Sequence, residues 1–300
     1  MHSSFQTTNG KGLDRNSVPM KLWEKAKRYG TWNPADFDFT QDAIDYKSLT
    51  ELEQKYILQP IAQFQAGEEA VTLDLLPLMM TVAKEGRLEE EMFLTSFLWE
   101  EAKHIDGFNQ FLNTILDNKL PNFGDLLVPS YQTIFYEILP EVMDKLTHDP
   151  SPVNQARASV TYNMIVEGTL AETGYYALNQ TLNTAGIMPG MLDFTVKLKQ
   201  DESRHVAYGI YLISRLVSEN GPEVWDAVED QMNKLLPLAI GVVDEGNQLF
   251  DETPFGLDAN AFTAYAMDQF QKRFARIQKA RNQSMAEVIQ ESMVTEELMV

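Results

Sequence analysis

The chain contains no cysteine and only four histidines among 300 residues. Without thiols there is no disulfide framework, thiolate metal site, iron-sulfur cluster or cysteine nucleophile. Any metal must therefore be held by oxygen and nitrogen. Positive charge is also scarce: 24 Lys and Arg against 44 Asp and Glu give a formal net charge of -20. That balance argues against nucleic acid or an anionic membrane as partner, because such surfaces select clustered Lys and Arg. Long apolar runs are missing too. LLPLAIGVV is far too short to span a bilayer and carries a proline, and MHSSFQTTNGKG at the start has no apolar stretch of signal-peptide type. A cytoplasmic protein is the default expectation. Alternating apolar and polar stretches bounded by hairpin turns are nearly absent, which argues against a β fold.

What remains is helical. Apolar residues make up 44 % and charged residues 23 % of the chain, an ordinary globular balance in a chain long enough for a substantial core. Leu52, Tyr56, Ile57, Ile61 and Phe64 keep helical spacing within 48–86, where Pro60 and Pro77 should introduce kinks. Similar patterns run over 87–116, 131–146, from the DPSP turn at 149–152 to Gly186, through 201–205 after the MPG turn, and over 222–250 and 258–281. No Ser/Gly/Pro-rich linker divides them. The expectation is one all-α helical bundle over 21–281, with a mobile N-terminal segment, 1–20, and a loosely docked C-terminal tail, 282–300, both poor in periodic apolar positions.

Two of the four histidines follow a glutamate by three residues: Glu101 and His104 in FLWEEAKHIDGF, Glu202 and His205 in VKLKQDESRHVAYG. Residues three apart share a helix face, so each pair presents a carboxylate and an imidazole to one point. One such pair is weak, since helix-surface glutamates and core histidines are common. Two pairs ask for two further carboxylates on other helices to complete a dinuclear centre. Glu68 in FQAGEEAVTLDLL and Glu167 in TYNMIVEGTLAETGYY lie among apolar or small residues, where a free carboxylate is costly. They precede Glu101 and Glu202 by 33 and 35 residues, as if one helix pair had been used twice. Four carboxylates in a core repel one another unless cations or protons intervene. Four oxygen donors with two imidazoles suit iron or manganese better than copper or zinc, and open positions between two such metals suit dioxygen. Ligand histidines usually donate their second N–H to an outer acceptor; Asp201 is either that acceptor or a solvent-facing helix acid.

These residues resemble the ferritin-like superfamily, and more closely the small subunit of class I ribonucleotide reductase. Glu68, Glu101, His104, Glu167, Glu202 and His205 match its ligand pattern in order and spacing, and Trp32 in TWNPADFDF matches an N-terminal Trp-x-Pro segment. The resemblance implies an electron relay of Trp32, Asp201 and His104, which could equally be structural. Around EEAVTLDLLP, EEAKH, TYNMIVEGTLAETGYY and DESRH the chain is similar to the ligand-binding oxidases related to those subunits. That similarity implies a manganese/iron centre, di-iron being the variant, with manganese held by Glu68, Glu101 and His104 and iron by Glu167, Glu202 and His205, Glu101 being able to bridge. It further implies dioxygen activation, a long-chain fatty acid with its carboxylate at the metals, an ether cross-link between Val71 and Tyr162, a homodimer, and an electron donor of unknown identity. Tyr175 matches a tyrosine near that family's site.

Periodicity treats the cross-link pair unevenly. Val71, three residues after Glu68, shares its face, whereas Tyr162 precedes Glu167 by five, out of phase in an ideal helix. A local π-bulge would restore the phase, and such bulges recur at functional sites. From spacing alone both are ordinary core, and Met79 and Met80 either line a lipid tunnel or fill gaps. The rival readings are a reductase subunit with a metal-based oxidant and a non-catalytic iron-storage bundle. In most reductase subunits the radical tyrosine lies four residues after the first ligand histidine; here that position is Phe108.

Overall fold

The computed structural model describes residues 4–298, among which helices occur and strands do not. Helix α1 is Val18–Tyr29, α2 Thr40–Ser48, α3 Glu51–Lys84 and α4 Leu88–Ile115. Helix α5 covers 129–144, and α6 covers 152–185. Then come α7 Pro189–Asn220, α8 Pro222–Gln248, α9 Ala259–Gln278 and α10 Met285–Leu298.

Local chemistry sets the boundaries. Thr50 and Glu53 form a reciprocal capping box at the start of α3. Prolines in the first turn open α5 to α8, where the missing N–H costs nothing. Gly186, in the left-handed region with φ of 68°, ends α6. Pro60 and Pro77 do not end α3, which runs 34 residues through both. Its long packed face on α4 outweighs the two hydrogen bonds lost.

Helices α3, α4, α7 and α6 close a ring in which each packs on the next, and α1, α8 and α9 cover its outside. The buried side chains form two apolar clusters. One holds Val71, Phe97, Tyr162 and Val206; the other holds Phe64, Phe108, Tyr175 and Leu198. Each of the four ring helices passes from one cluster to the other, and the acidic and histidine positions fall at the crossing.

Over their described residues, both terminal segments include helix that packs on the bundle. Helix α1 begins at Val18, buried with Met20. Helix α10 packs on α7 and α1 and buries Val288 and Ser292, so much of the expected C-terminal tail is a docked helix. Residues 1–3 and 299–300 of those two segments lie outside the described residues. No described helix is long and apolar enough to cross a membrane.

Candidate metal centre

The four ring helices bring all six predicted donors together: Glu68 from α3, Glu101 and His104 from α4, Glu167 from α6, Glu202 and His205 from α7. None is more than 6 % exposed. Donor atoms of Glu68, Glu101, His104 and Glu202 lie within 4.8 Å of one another, as do those of Glu101, Glu167, Glu202 and His205. Two overlapping clusters result, with Glu101 and Glu202 common to both. The resemblance implied a shared role for Glu101 alone; in the fold Glu202 also reaches the first cluster, 3.4 Å from Nδ1 of His104.

Each imidazole turns Nδ1 inward and Nε2 outward. His104 Nδ1 is 3.3 Å from Glu68, and His205 Nδ1 is 3.0 Å from Glu101 and 3.6 Å from Glu167. These inward nitrogens, with Oε1 of Glu101, Oε1 of Glu167 and Oε2 of Glu202, are buried and lack a hydrogen-bond partner. Five orphaned polar atoms facing one point would be a costly defect in a bare core. They are the arrangement that two cations would satisfy, and their oxygen and nitrogen composition suits manganese and iron.

Protonation follows the same logic. Burial pushes the Glu68 and Glu167 carboxyls well above the usual carboxylate range. Burial would also raise Glu101 and Glu202, but the two imidazoles beside them prevail and hold both below it. Burial would lower the histidines, yet the surrounding carboxylates keep both well above the ordinary imidazole value. The metal-free centre is therefore proton-loaded, and cation binding must release protons.

The outward nitrogens meet carboxylates from the opposite helix. His104 Nε2 faces Asp201 at 3.4 Å, and His205 Nε2 faces Glu100 at 2.9 Å. Asp201 is fully buried, so of its two sequence readings the outer acceptor is the one with geometry behind it. It also accepts from Trp32 Nε1 at 2.9 Å and from Lys103 Nζ at 3.0 Å. Glu100 was not singled out by sequence. The signal was there: an acid directly precedes the ligand glutamate in both EEAKH and DESRH. Arg204 completes the layer by pairing with both Glu100 and Asp201. Gly30 is required here, because a Cβ on it would fall 2.2 Å from Glu100 Oε1.

Tyr162 and Glu167 stand on a π-wound segment, Val160–Ala171, which restores the phase that an ideal α-helix denies them. Asn163 donates to Glu167 at 2.9 Å, and Gly209 on α7 makes room for it: a Cβ there would meet the Asn163 side chain at 2.2 Å. Tyr162 is fully buried, and its hydroxyl donates to the backbone oxygen of Val71 at 3.0 Å. Burial pushes this phenol well up, so it is protonated. Tyr175 does not merely pack: its hydroxyl lies 3.3 Å from Glu68 and 3.4 Å from Glu202 while its ring stacks on Phe64. Phe108 stacks on the other side of Phe64.

A cavity opens on the centre. Glu68, Glu101, Glu167 and Glu202 border it, together with Val71, and it follows α3 from Val71 back to Tyr56, a distance of roughly 22 Å at about 1.5 Å per residue. Leu170, Ala171, Val242 and Phe262 supply much of the opposite wall. Met79 and Met80 are not part of it; Met80 is exposed.

A closed ring of four helices carrying two overlapping carboxylate and imidazole clusters defines a ferritin-like bundle able to hold a pair of metal ions. Residues 19–278 match the ribonucleotide reductase small chain, and the protein belongs to that family. Within it, the chain is similar to solved R2-like ligand-binding oxidases. One with an aerobically reconstituted Mn/Fe cofactor is 41 % identical, covers 92 % of this chain and 98 % of its own, and superposes with a TM-score of 0.88. A single-residue variant, also aerobically reconstituted with Mn/Fe, is 40 % identical over 92 % of this chain and 99 % of its own, with a TM-score of 0.88. A tyrosine-to-phenylalanine variant with an anaerobically reconstituted Mn/Fe cofactor gives 41 %, 92 %, 98 % and 0.86.

Proposed function

We propose that this chain is a cytoplasmic, homodimeric Mn/Fe oxidase that uses dioxygen for two-electron oxidation of a C–H bond and binds a long-chain fatty acid at its metal centre. The observation that carries the reading is the set of five unpartnered, buried donor atoms converging between four helices, beside a cavity lined largely by apolar groups. The similarity to oxidases carrying Mn/Fe supports the choice of metals.

In this reading Glu68, Glu101 and His104 hold manganese, Glu167, Glu202 and His205 hold iron, and Glu101 and Glu202 are placed to serve both. When bound, the two ions supply a two-electron oxidising centre fed by dioxygen. The rest falls to the chain. Asp201 and Glu100 fix the two imidazole rings, and Asn163 aims Glu167. Helix α3 and the π-wound segment set Tyr162 Oη against the Val71 backbone, and Val71 lines the cavity beside the centre. Cross-linking breaks one O–H and one Cβ–H bond and forms one O–Cβ bond; two protons and two electrons leave the polypeptide for dioxygen. The fatty acid carboxylate would face the metals, with its chain along α3. An exposed stripe of Leu73, Leu76 and Met80 on α3 supplies an apolar face for the second copy.

One observation favours a second reading, a reductase subunit with a metal-based oxidant: Trp32 is hydrogen-bonded through Asp201 to His104, as a relay requires. Metal and lipid analysis of the purified protein separates the two. The oxidase reading expects one manganese and one iron per chain and a near-stoichiometric fatty acid in an organic extract. A protein with both metals and no extractable lipid would favour the subunit.

A further inference from the structure

The two sides of the centre differ in their oxidisable groups. On one side lie Val71 and the Tyr162 phenol; on the other, the Trp32 indole stacks behind His104 with ring centroids 6.1 Å apart. An oxidising centre therefore has a nearby electron source that it must leave alone if the valine and the tyrosine are to react.

Lys103 bears on that choice. Its ammonium lies 3.8 Å from the Trp32 ring centroid and 4.4 Å from that of Trp99. It is held there by the Gly30 carbonyl at 2.6 Å and Asp201 at 3.0 Å, and is only 6 % exposed. A cation over an indole face stabilises the neutral ring and destabilises the ring that has lost an electron. Asp201 acts the other way, through Nε1, but its charge is shared with Arg204 and Lys103.

We propose that Lys103 is a gating residue: by holding its charge over Trp32 it keeps that indole reduced while Val71 and Tyr162 are oxidised. This rests on the oxidase reading for its purpose, but not for its test. Full-length protein, before and after loading with redox-silent zinc(II), is exposed to a photogenerated ruthenium(III) polypyridyl oxidant. In air-saturated buffer that reagent, itself reduced to ruthenium(II), takes one electron from Trp32 as the Nε1 proton passes to Asp201; dioxygen adds to the indolyl radical, and residue-resolved mass spectrometry counts the oxygenated Trp32. Lys103→Gln keeps a donor for the Gly30 carbonyl and loses the charge; it should raise Trp32 oxidation about tenfold or more. Lys103→Arg should match the wild type, and Lys103→Met provides a second neutral variant should the glutamine form fold poorly. Oxidation within twofold of wild type in the neutral variants, or Lys103→Arg as reactive as they are, would overturn the proposal. Neither outcome depends on whether manganese and iron are the native metals.

Discussion

Glu100 Oε2 lies 2.9 Å from Nε2 of His205, on the helix facing its own, and Asp201 stands in the corresponding relation to His104. The acid that directly precedes each shared glutamate thus steadies the histidine of the other helix. The two Glu-x-x-His helices are locked to each other crosswise before any metal binds.

Removing one lock should weaken one end of the centre. Glu100→Ala frees the His205 ring and leaves Arg204 facing Asp201 alone. Loss of an outer partner of this kind costs about 10–100-fold in metal affinity. Competition titration should find that loss at the position bordered by Glu167 and His205 and a much smaller one at the position bordered by Glu68 and His104.

The overlap of the two donor clusters predicts a pattern across substitutions. Glu68→Ala should deplete one metal and Glu167→Ala the other, whereas Glu101→Ala and Glu202→Ala should weaken both. Metal content per chain after anaerobic loading is the measurement. Equal depletion of both metals in all four variants would show that the clusters do not act as two positions.

Much of this was legible in the sequence because helical spacing is a strong signal: repeated Glu-x-x-His and two acids in apolar surroundings are enough to gather six donors. The π-wound segment was visible indirectly, as the phase conflict between Tyr162 and Glu167. Glu100 was missed because a carboxylate next to another carboxylate has no periodicity of its own; only the closure of α4 on α7 shows which way it faces. Lys103 and Arg204 were missed for a related reason: long cationic side chains ordinarily reach solvent, and their burial depends on partners distant in sequence. Helix α10 was read as a tail because so few of its residues reach the core, chiefly Val288, Ser292 and the partly buried Met285 and Met293.

The cavity gives a further prediction. Ala171 lies on its wall and is not one of the six proposed ligands. In Ala171→Phe the ring should occupy the acyl path, at an overpacking cost of about 1–3 kcal/mol. Extracts should then lose the fatty acid while metal stoichiometry is kept. Fatty acid retained in full would mean that the lipid lies elsewhere.

Asp74 supplies a pH signature away from the centre. Burial, reinforced by Asp144, pushes its carboxyl up to about 6. A carboxyl raised in the folded state favours folding while protonated, so its contribution is full below the unfolded value near 3.9 and is lost as pH rises through about 6. Asp74→Asn should raise the melting temperature at pH 7 and flatten its dependence between about pH 4 and 6. Parallel wild-type and variant profiles would exclude Asp74 as the source.

The central claim is that this centre oxidises its own polypeptide at a chosen C–H bond. Metal-free protein is loaded anaerobically with manganese(II) and iron(II), exposed to air, digested and mapped by mass spectrometry. The account predicts one branched peptide joining AGEEAVTL to VTYNMIV through Val71 and Tyr162, lighter by two hydrogens than its linear parts, absent without air and absent in Tyr162→Phe with both metals still bound. Linear peptides alone, from wild-type protein with full metal occupancy after repeated aerobic turnover, would contradict it.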